Sequence, residues 1–364
     1  MTGLEIWLRD VVARAGFSGT DDFARHYQLK PYRLQQLYRA ATKELLAGVA
    51  DVTTLPQELR RSLVERGVAF TALEPVVLQR SNDGQTTKGL FRLRDGKEVE
   101  AVLMEHYGSR TTLCISSQAG CAFACAFCAT GQGGFNRNLS AGEIFDQAWF
   151  FARHLAERKK RITNVVFMGM GEPFHNYEAV MEAVALLNDP QGFGMGHRHI
   201  TISTVGLADK IDAFAQERVQ VNLAISLHAP TDELRSRIMP VNRRFPLPVL
   251  MAACERYVGK TNRKVFFEYV MLAGVNDDSR SAHALTQLMR GRLYHVNLIP
   301  YNATPDAAFE ATPEKRIREF AAILDAAGVP VTVRQNMGGD IAAACGQLQA
   351  DSQPKAHLHS TVSS

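Results

Sequence analysis

The chain has 364 residues, 46% of them hydrophobic and 21% charged, with a formal net charge of +4. This is the composition of an ordinary globular protein of one large or two to three smaller domains. It excludes a membrane-spanning chain, because no apolar stretch approaches the length of a span. The first residues, Met1-Thr-Gly-Leu-Glu, lack the basic and apolar regions of a secretory signal. Six cysteines are too few for a disulfide scaffold. The expectation is a cytoplasmic protein whose thiols are free for metal or redox work. The mild positive charge permits nucleic-acid binding without demonstrating it.

Residues 1–68 read as helices. Leu4, Trp7, Leu8 and Val11 recur at helical spacing, and Leu34, Leu37 and Tyr38 do so again. Thr54-Leu-Pro56 followed by Glu58 looks like a capped helix start. The segment is too short for a large core and is expected to pack on another part of the chain. Arg33, Arg39, Arg60, Arg61 and Arg66 give it a basic surface, either a solvated helix face or an RNA platform. A β-hairpin falls within 69–109: Leu90, Phe91 and Leu93, then Asp95-Gly96, then Val99, Ala101 and Leu103 in alternation.

From 110 to 348 strand and helix patterns alternate. Apolar runs lie at 111–116, 164–168, 199–204, 221–226, 265–271, 295–299 and 331–334. Amphipathic segments at 141–158, 177–188, 207–217, 246–258, 279–290 and 313–327 separate them. Ser140-x-x-Glu143 is a capping box, and Thr312-Pro313 reads as an N-cap with Pro at the first helical position. Six such units predict an α/β fold: a parallel sheet with helical crossovers, curled into an open or partial barrel. Sites are then expected on loops at the C-terminal ends of the strands. The polar tail, 349–364, is expected to be disordered.

The loop after the first of these strands carries Cys121, Cys125 and Cys128, spaced C-x3-C-x2-C. Three thiolates so placed can hold three corners of a 4Fe–4S cluster and leave one iron open for S-adenosylmethionine. The alternatives are a zinc site, which wants four ligands usually in two pairs, and three buried cysteines. Cys114 and Cys345 lie apart from the triad. Cys345 sits in a glycine-flanked segment, with Gly338-Gly339 before it and Gly346 after. Taken singly, each reads as a small buried hydrophobe, and so does Cys254, mid-helix in Ala252-Ala-Cys-Glu-Arg.

Seven segments carry a resemblance. They are Cys114-Ile-Ser-Ser-Gln-Ala-Gly-Cys121, Phe135-Asn-Arg-Asn-Leu139, Met168-Gly-Met-Gly-Glu-Pro173 and Ile202-Ser-Thr204. Ser226-Leu-His-Ala-Pro230, Asn297-Leu-Ile-Pro-Tyr-Asn302 and Asp340-Ile-Ala-Ala-Ala-Cys345-Gly-Gln-Leu348 complete the set. With the triad, and in this order, they make residues 30–348 resemble the radical S-adenosylmethionine superfamily. Within it, the chain is similar to the adenosine methyltransferases of the RlmN/Cfr group.

The resemblance implies a partial (β/α)6 radical S-adenosylmethionine barrel with a helical accessory domain and a hairpin extension. It implies Cys121, Cys125 and Cys128 as cluster ligands. It implies Gly171, Glu172, Ser203, Ser226, Leu227, His228 and Asn302 as contacts of S-adenosylmethionine, two molecules of which are used per turnover. It makes Cys345 a methyl carrier, Cys114 the thiol that resolves a carrier–RNA adduct through a transient disulfide, and Glu100 the acid–base carboxylate. The implied activity is methylation at carbon 2 of an adenosine in 23S rRNA near the peptidyl-transferase centre. Some members also act on the adenosine 3′ to the anticodon of tRNA. A flavodoxin-type electron donor and a monomeric state go with it.

Two rivals stand beside this reading. One is carbon-8 methylation of the same adenosine, toward which Leu293-Tyr-His-Val-Asn297 leans. Gly171-Glu-Pro173-Phe-His-Asn176, Phe267-Glu-Tyr-Val-Met271 and Leu298-Ile-Pro300-Tyr lean toward carbon 2. The other is an iron–sulfur RNA-binding protein without methylase activity, which would have no use for Cys114 and Cys345. Arg235, Arg237, Arg243 and Arg244, after the fourth strand, are candidate phosphate contacts or a solvated loop.

Overall fold

The computed structural model describes residues 1–303 and 309–348. The tail expected to be disordered, from 349, lies outside the described residues. Four helices open the chain: α1 (Gly3–Arg14), α2 (Thr20–His26), α3 (Pro31–Thr42) and α4 (Gln57–Glu65). A capping box starts α1: Glu5 N–H donates to Thr2 Oγ1 at 3.3 Å, and Glu5 Oε2 accepts from Thr2 N–H at 2.7 Å. Trp7 on its buried face packs 5.7 Å from Tyr38 and 5.8 Å from Phe70. At α4 the structure corrects the expected cap. Pro56 precedes the helix with no side-chain cap, and the Thr54 carbonyl instead accepts from Arg33 Nη1 at 2.6 Å. Arg60 is likewise bound to the Ala50 carbonyl at 2.7 Å, and Arg66 lies over the Phe17 ring. Two of the five basic side chains thus brace loops, while Arg39 and Arg61 are exposed.

The main sheet has ten strands in the order β1-β2-β3-β4-β7-β8-β9-β10-β11-β12. Strands β1 (Glu74–Arg80), β2 (Thr86–Arg92), β3 (Glu98–Glu105) and β4 (Thr111–Cys114) are antiparallel. The expected hairpin is β2–β3, turned by Gly96 at φ +80°. Strand β1 was not legible. It is a half-exposed edge with Pro75 and a register shift beside it, so it carries no alternating pattern.

From β4 onward every neighbour is parallel: β7 (Asn164–Phe167), β8 (Ile200–Thr204), β9 (Asn222–Ser226), β10 (Val265–Met271), β11 (Tyr294–Pro300) and β12 (Val331–Val333). Between β4 and β7 the chain forms a two-stranded sheet, β5 (Gln118–Gly120) and β6 (Phe135–Asn138), with α5 (Ala129–Gln132) between them. Helix α6 (Ala141–Ala156) then opens with the expected capping box at Ser140 and Glu143. The crossovers are completed by α7 (Tyr177–Asn188), α8 (Ala208–Phe214), α9 (Asp232–Ile238), α10 (Leu247–Thr261), α11 (Ser279–Met289) and α12 (Glu314–Ala326). Thr312 does not cap α12. Pro313 holds that place, and the Thr312 hydroxyl donates to Asp277 Oδ2 at 3.1 Å.

The sheet curls. Arg334, one residue past β12, brings Nη1 to 3.7 Å from the sulfur of Met168, one residue past β7. The last parallel strand therefore returns across the mouth toward the second, as in a partial barrel. The outer face of the sheet packs on the helices through fully buried Leu113, Val165, Ile202, Leu223 and Phe267. Helix α1 docks on α6 and α7 over the same apolar cluster, and Trp149 of α6 donates to the Ala41 carbonyl at 2.8 Å.

Candidate active site

The cysteine loop spans β5 to α5 at the C-terminal rim of β4. Its entry needs Gly120 at φ +78°, where a Cβ would lie 2.0 Å from the Gly134 carbonyl oxygen. Cys121 N–H donates to that same carbonyl at 2.8 Å, and Ala126 N–H donates to the Ile238 carbonyl at 2.9 Å. The loop is thus fixed to β6 on one side and to the end of α9 on the other.

Cys125 is buried, and Cys121 and Cys128 are half-buried. Burial pushes the Cys121 thiol up to about 12, with Cys128 and Glu172 adding to the rise, and pushes the Cys125 thiol well above its ordinary range, with Cys128 and Cys121 adding. Arg235 offsets the rise at Cys125. Among the described residues no three His, Cys, Asp or Glu side chains are gathered as ligands of one metal ion. Three soft thiols whose anions would repel one another, with a guanidinium near Cys125, fit a 4Fe–4S cluster, whose iron would hold them deprotonated.

The residues expected to contact S-adenosylmethionine fall at the ends of β7, β8, β9 and β11. Gly171 has φ +94°, and a Cβ there would sit 2.5 Å from the Gln118 side chain. Glu172 is buried. Its Oε1 accepts from Phe174 N–H at 3.0 Å and its Oε2 from Val205 N–H at 2.8 Å. The carboxylate thus ties the loop after β7 to that after β8, and burial pushes its pKa up to about 7. Ser203 and Ser226 place their hydroxyls 3.4 Å apart. Leu227 is fully buried, and its N–H donates to the Glu268 carbonyl at 3.0 Å. His228, at φ +58°, accepts from Val270 N–H on Nδ1 at 3.0 Å. Burial, aided by nearby Arg235, lowers its pKa to about 3, so the ring is neutral with its proton on Nε2. Phe127 of the cysteine loop packs edge-on against this ring at 4.8 Å. Asn302 donates to the Pro300 carbonyl at 3.4 Å and accepts from Asn336.

Cys114 and Cys345, distant in sequence, lie within electrostatic reach of each other. Cys114 ends β4, is buried, and its thiol is raised by burial and then by Cys345. Cys345 is solvent-accessible, yet surrounding protein raises its thiol too, with Glu268 and Cys128 adding and Arg334 opposing. Its neighbour Gly346, at φ +84°, offers its carbonyl to Ala129 N–H at 2.8 Å, and the Leu348 carbonyl accepts from Thr130 Oγ1 at 2.5 Å. The Cys345 segment is therefore laid along the cysteine loop. Glu100, on β3, is buried, and Lys88 Nζ lies 2.9 Å from its Oε1. Glu98 stays partly exposed and pairs with Arg92. Cys254 is buried in α10.

Arg235 requires a correction. It is fully buried rather than facing phosphates, and it donates to the carbonyls of Val205, Ser226 and Leu227 and to Asn242 Oδ1. It gathers the loops after β8 and β9. Helical spacing carried the signal: Arg235 and Ile238 share the inner face of α9, whereas Arg237 faces out. The sequence reading also missed a polar row. Ser226, Glu268, Asn297 and Thr332 are direct register partners across β9 to β12 and so share one face. Glu268 Oε1 accepts from Asn297 at 2.9 Å and pairs with Arg334 at 3.0 Å, while Oε2 is buried with no hydrogen-bond partner among the described residues.

Residues 115–285 match the radical SAM superfamily. The chain is 49% identical over 87% of its length to a probable dual-specificity RNA methyltransferase RlmN of Chloroflexus aurantiacus, covering 86% of that protein. It is 47% identical over 88% of its length to the Moorella thermoacetica protein of the same description, covering 91% of it. Its fold matches the crystal structure of a radical SAM methyltransferase from Sphaerobacter thermophilus with a TM-score of 0.89 at 46% identity, over 96% of this chain and all of that one. Identity of this extent, over a curled sheet whose rim carries the cysteine triad, has one conclusion: the chain belongs to the RlmN family of radical S-adenosylmethionine RNA methyltransferases.

Proposed function

We propose that this chain methylates carbon 2 of an adenosine in 23S rRNA, and that it also acts on tRNA, with Cys345 as the methyl carrier. The observation that carries the reading is the Cys345 segment held along the triad loop by the Ala129–Gly346 hydrogen bond, with Cys345 within electrostatic reach of Cys114. When bound, the 4Fe–4S cluster and S-adenosylmethionine supply a methyl group and, from a second molecule, a means of removing a hydrogen atom. Cys121, Cys125 and Cys128 hold the cluster. Gly171, Glu172, Ser203, Ser226, Leu227, His228 and Asn302 line the cofactor's side of the rim.

Cys345 receives the methyl group on its sulfur and, after loss of one hydrogen atom, joins its carbon to the adenine. This route suits carbon 2, which is too electron-poor to take a methyl group by direct displacement. Glu100 accepts the proton that leaves the ring carbon, and the odd electron left on the ring would return to the bound cluster, oxidised when it cleaved S-adenosylmethionine. Cys114 then attacks the Cys345 sulfur. The carbon–sulfur bond breaks, its electron pair stays on carbon, and a proton completes the methyl group while a disulfide forms. A low-potential donor of flavodoxin type and a cellular thiol supply the electrons. The chain acts as a monomer.

Mass spectrometry of nucleosides from treated 23S rRNA and tRNA tests the assignment. 2-Methyladenosine in both supports it, 8-methyladenosine would move the chain to the Cfr-type reaction, and unmodified RNA would overturn the reading. The names borne by the relatives favour the first outcome.

A further inference from the structure

Lys88 lies on β2, diagonal to Glu100 on β3, since Leu90 is the direct register partner of Glu100 and Val102 that of Lys88. Its side chain is 11% exposed and that of Glu100 is 6% exposed. The ammonium has three donors. One faces Glu100 Oε1 at 2.9 Å, and another reaches the Ala342 carbonyl at 3.3 Å. Ala342 is three residues before Cys345 and holds the left-handed conformation, φ +50°.

The β1–β2 turn and the start of β2 touch this segment twice more. Asn82 N–H donates to Asp340 Oδ2 at 2.8 Å. Gly338 approaches Thr86 so closely that a Cβ would lie 2.7 Å from its Cγ2. An ion pair with Glu100 alone would not need the contact to Ala342. That contact makes one cation the link between the carboxylate and the backbone leading to Cys345.

We propose that Lys88 is a positioning residue that couples the Cys345 segment to Glu100, presenting methyl carrier and carboxylate to the same base as one unit. The proposal rests on the roles given above to Cys345 and Glu100.

The test uses full-length, cluster-reconstituted protein carrying Lys88→Met or Lys88→Arg. Hydrogen exchange of peptides covering 338–348 is read together with S-methylation of Cys345 and, in a Cys114→Ala background, the yield of RNA adduct. Lys88→Met is expected to speed exchange in 338–348 about fivefold or more, what one ordinary hydrogen bond contributes. Cys345 is still methylated, adduct yield falls about tenfold, and Lys88→Arg restores both protection and adduct. Unchanged exchange in 338–348 would overturn the proposal, and so would equal loss of protection throughout β2 and β3, which would make the ion pair a plain structural one. Should Cys345 never become methylated in the otherwise unmodified chain, the carrier role fails instead, and exchange in 338–348 still decides whether Lys88 holds the segment.

Discussion

Ala129 N–H donates to the Gly346 carbonyl oxygen at 2.8 Å, so the residue after the last triad cysteine holds the residue after Cys345. The contact needs Gly346 in the left-handed region, and a Cβ there would lie 3.3 Å from the Phe127 carbonyl oxygen. Gly346→Ala should cost about 1 kcal/mol of stability. Because the strain falls on this junction, RNA methylation should drop about tenfold or more while cluster content stays whole. Iron analysis, urea unfolding and product yield together check it. A variant with full product yield would show that the junction does not position Cys345.

Arg235 and its neighbours should separate cleanly. Arg235→Met removes hydrogen bonds to three backbone carbonyls and to Asn242, and should destabilise the protein by about 3 kcal/mol or more. Arg237, Arg243 and Arg244 are exposed, and Ala there should change stability by no more than about 0.5 kcal/mol. If these three meet phosphates, each loss should weaken RNA binding and flatten its salt dependence. Unfolding curves and binding titrations at two salt concentrations read both effects. A stable Arg235→Met would contradict the first expectation.

His228 sets a pH dependence whose sign follows from its burial. Its pKa is about 3 in the folded chain against an ordinary 6.5. Between those values the unfolded chain binds a proton that the folded chain does not. This group therefore takes nothing from stability above pH 6.5 and lowers it progressively as the pH falls toward 3. His228→Asn should be less stable at pH 7, through lost packing on Phe127, yet lose less on acidification. Urea unfolding of both proteins between pH 7 and 4 compares the slopes. Parallel slopes would mean that His228 protonates freely in the folded state.

Much of this was legible in the sequence, and the failures have physical causes. The parallel strands announced themselves as continuous apolar runs because helices cover their outer face. The triad stood out because three cysteines in eight residues have few other uses. Glu268, Asn297 and Arg334 were not legible, since they lie on or just past three different strands and only the register of β10 with β11 and the Glu268–Arg334 ion pair bring them together. Arg235 misled because a buried guanidinium and a solvated one look alike in one dimension. Thr54 and Thr312 matched capping patterns, but the prolines that follow start those helices without a side-chain cap.

The cluster assignment predicts a graded set of variants. Replacing Cys121, Cys125 or Cys128 by Ala should lower iron content and abolish reductive cleavage of S-adenosylmethionine. Cys254→Ala, inside α10, should leave both unchanged and cost about 1 kcal/mol of packing. Iron and sulfide analysis with a 5′-deoxyadenosine assay reads the result. Full iron and full cleavage in the triple variant would remove the triad from the site.

The central claim is that Cys345 carries the methyl group and Cys114 releases the product. It is tested most directly by isolating the Cys114→Ala protein after it has met its RNA and mapping any covalent adduct by mass spectrometry. The account predicts a methylene-bridged adduct on Cys345 that is absent from the Cys114→Ala/Cys345→Ala double variant. Normal turnover without an adduct, or an adduct mapping to Cys254, would contradict it.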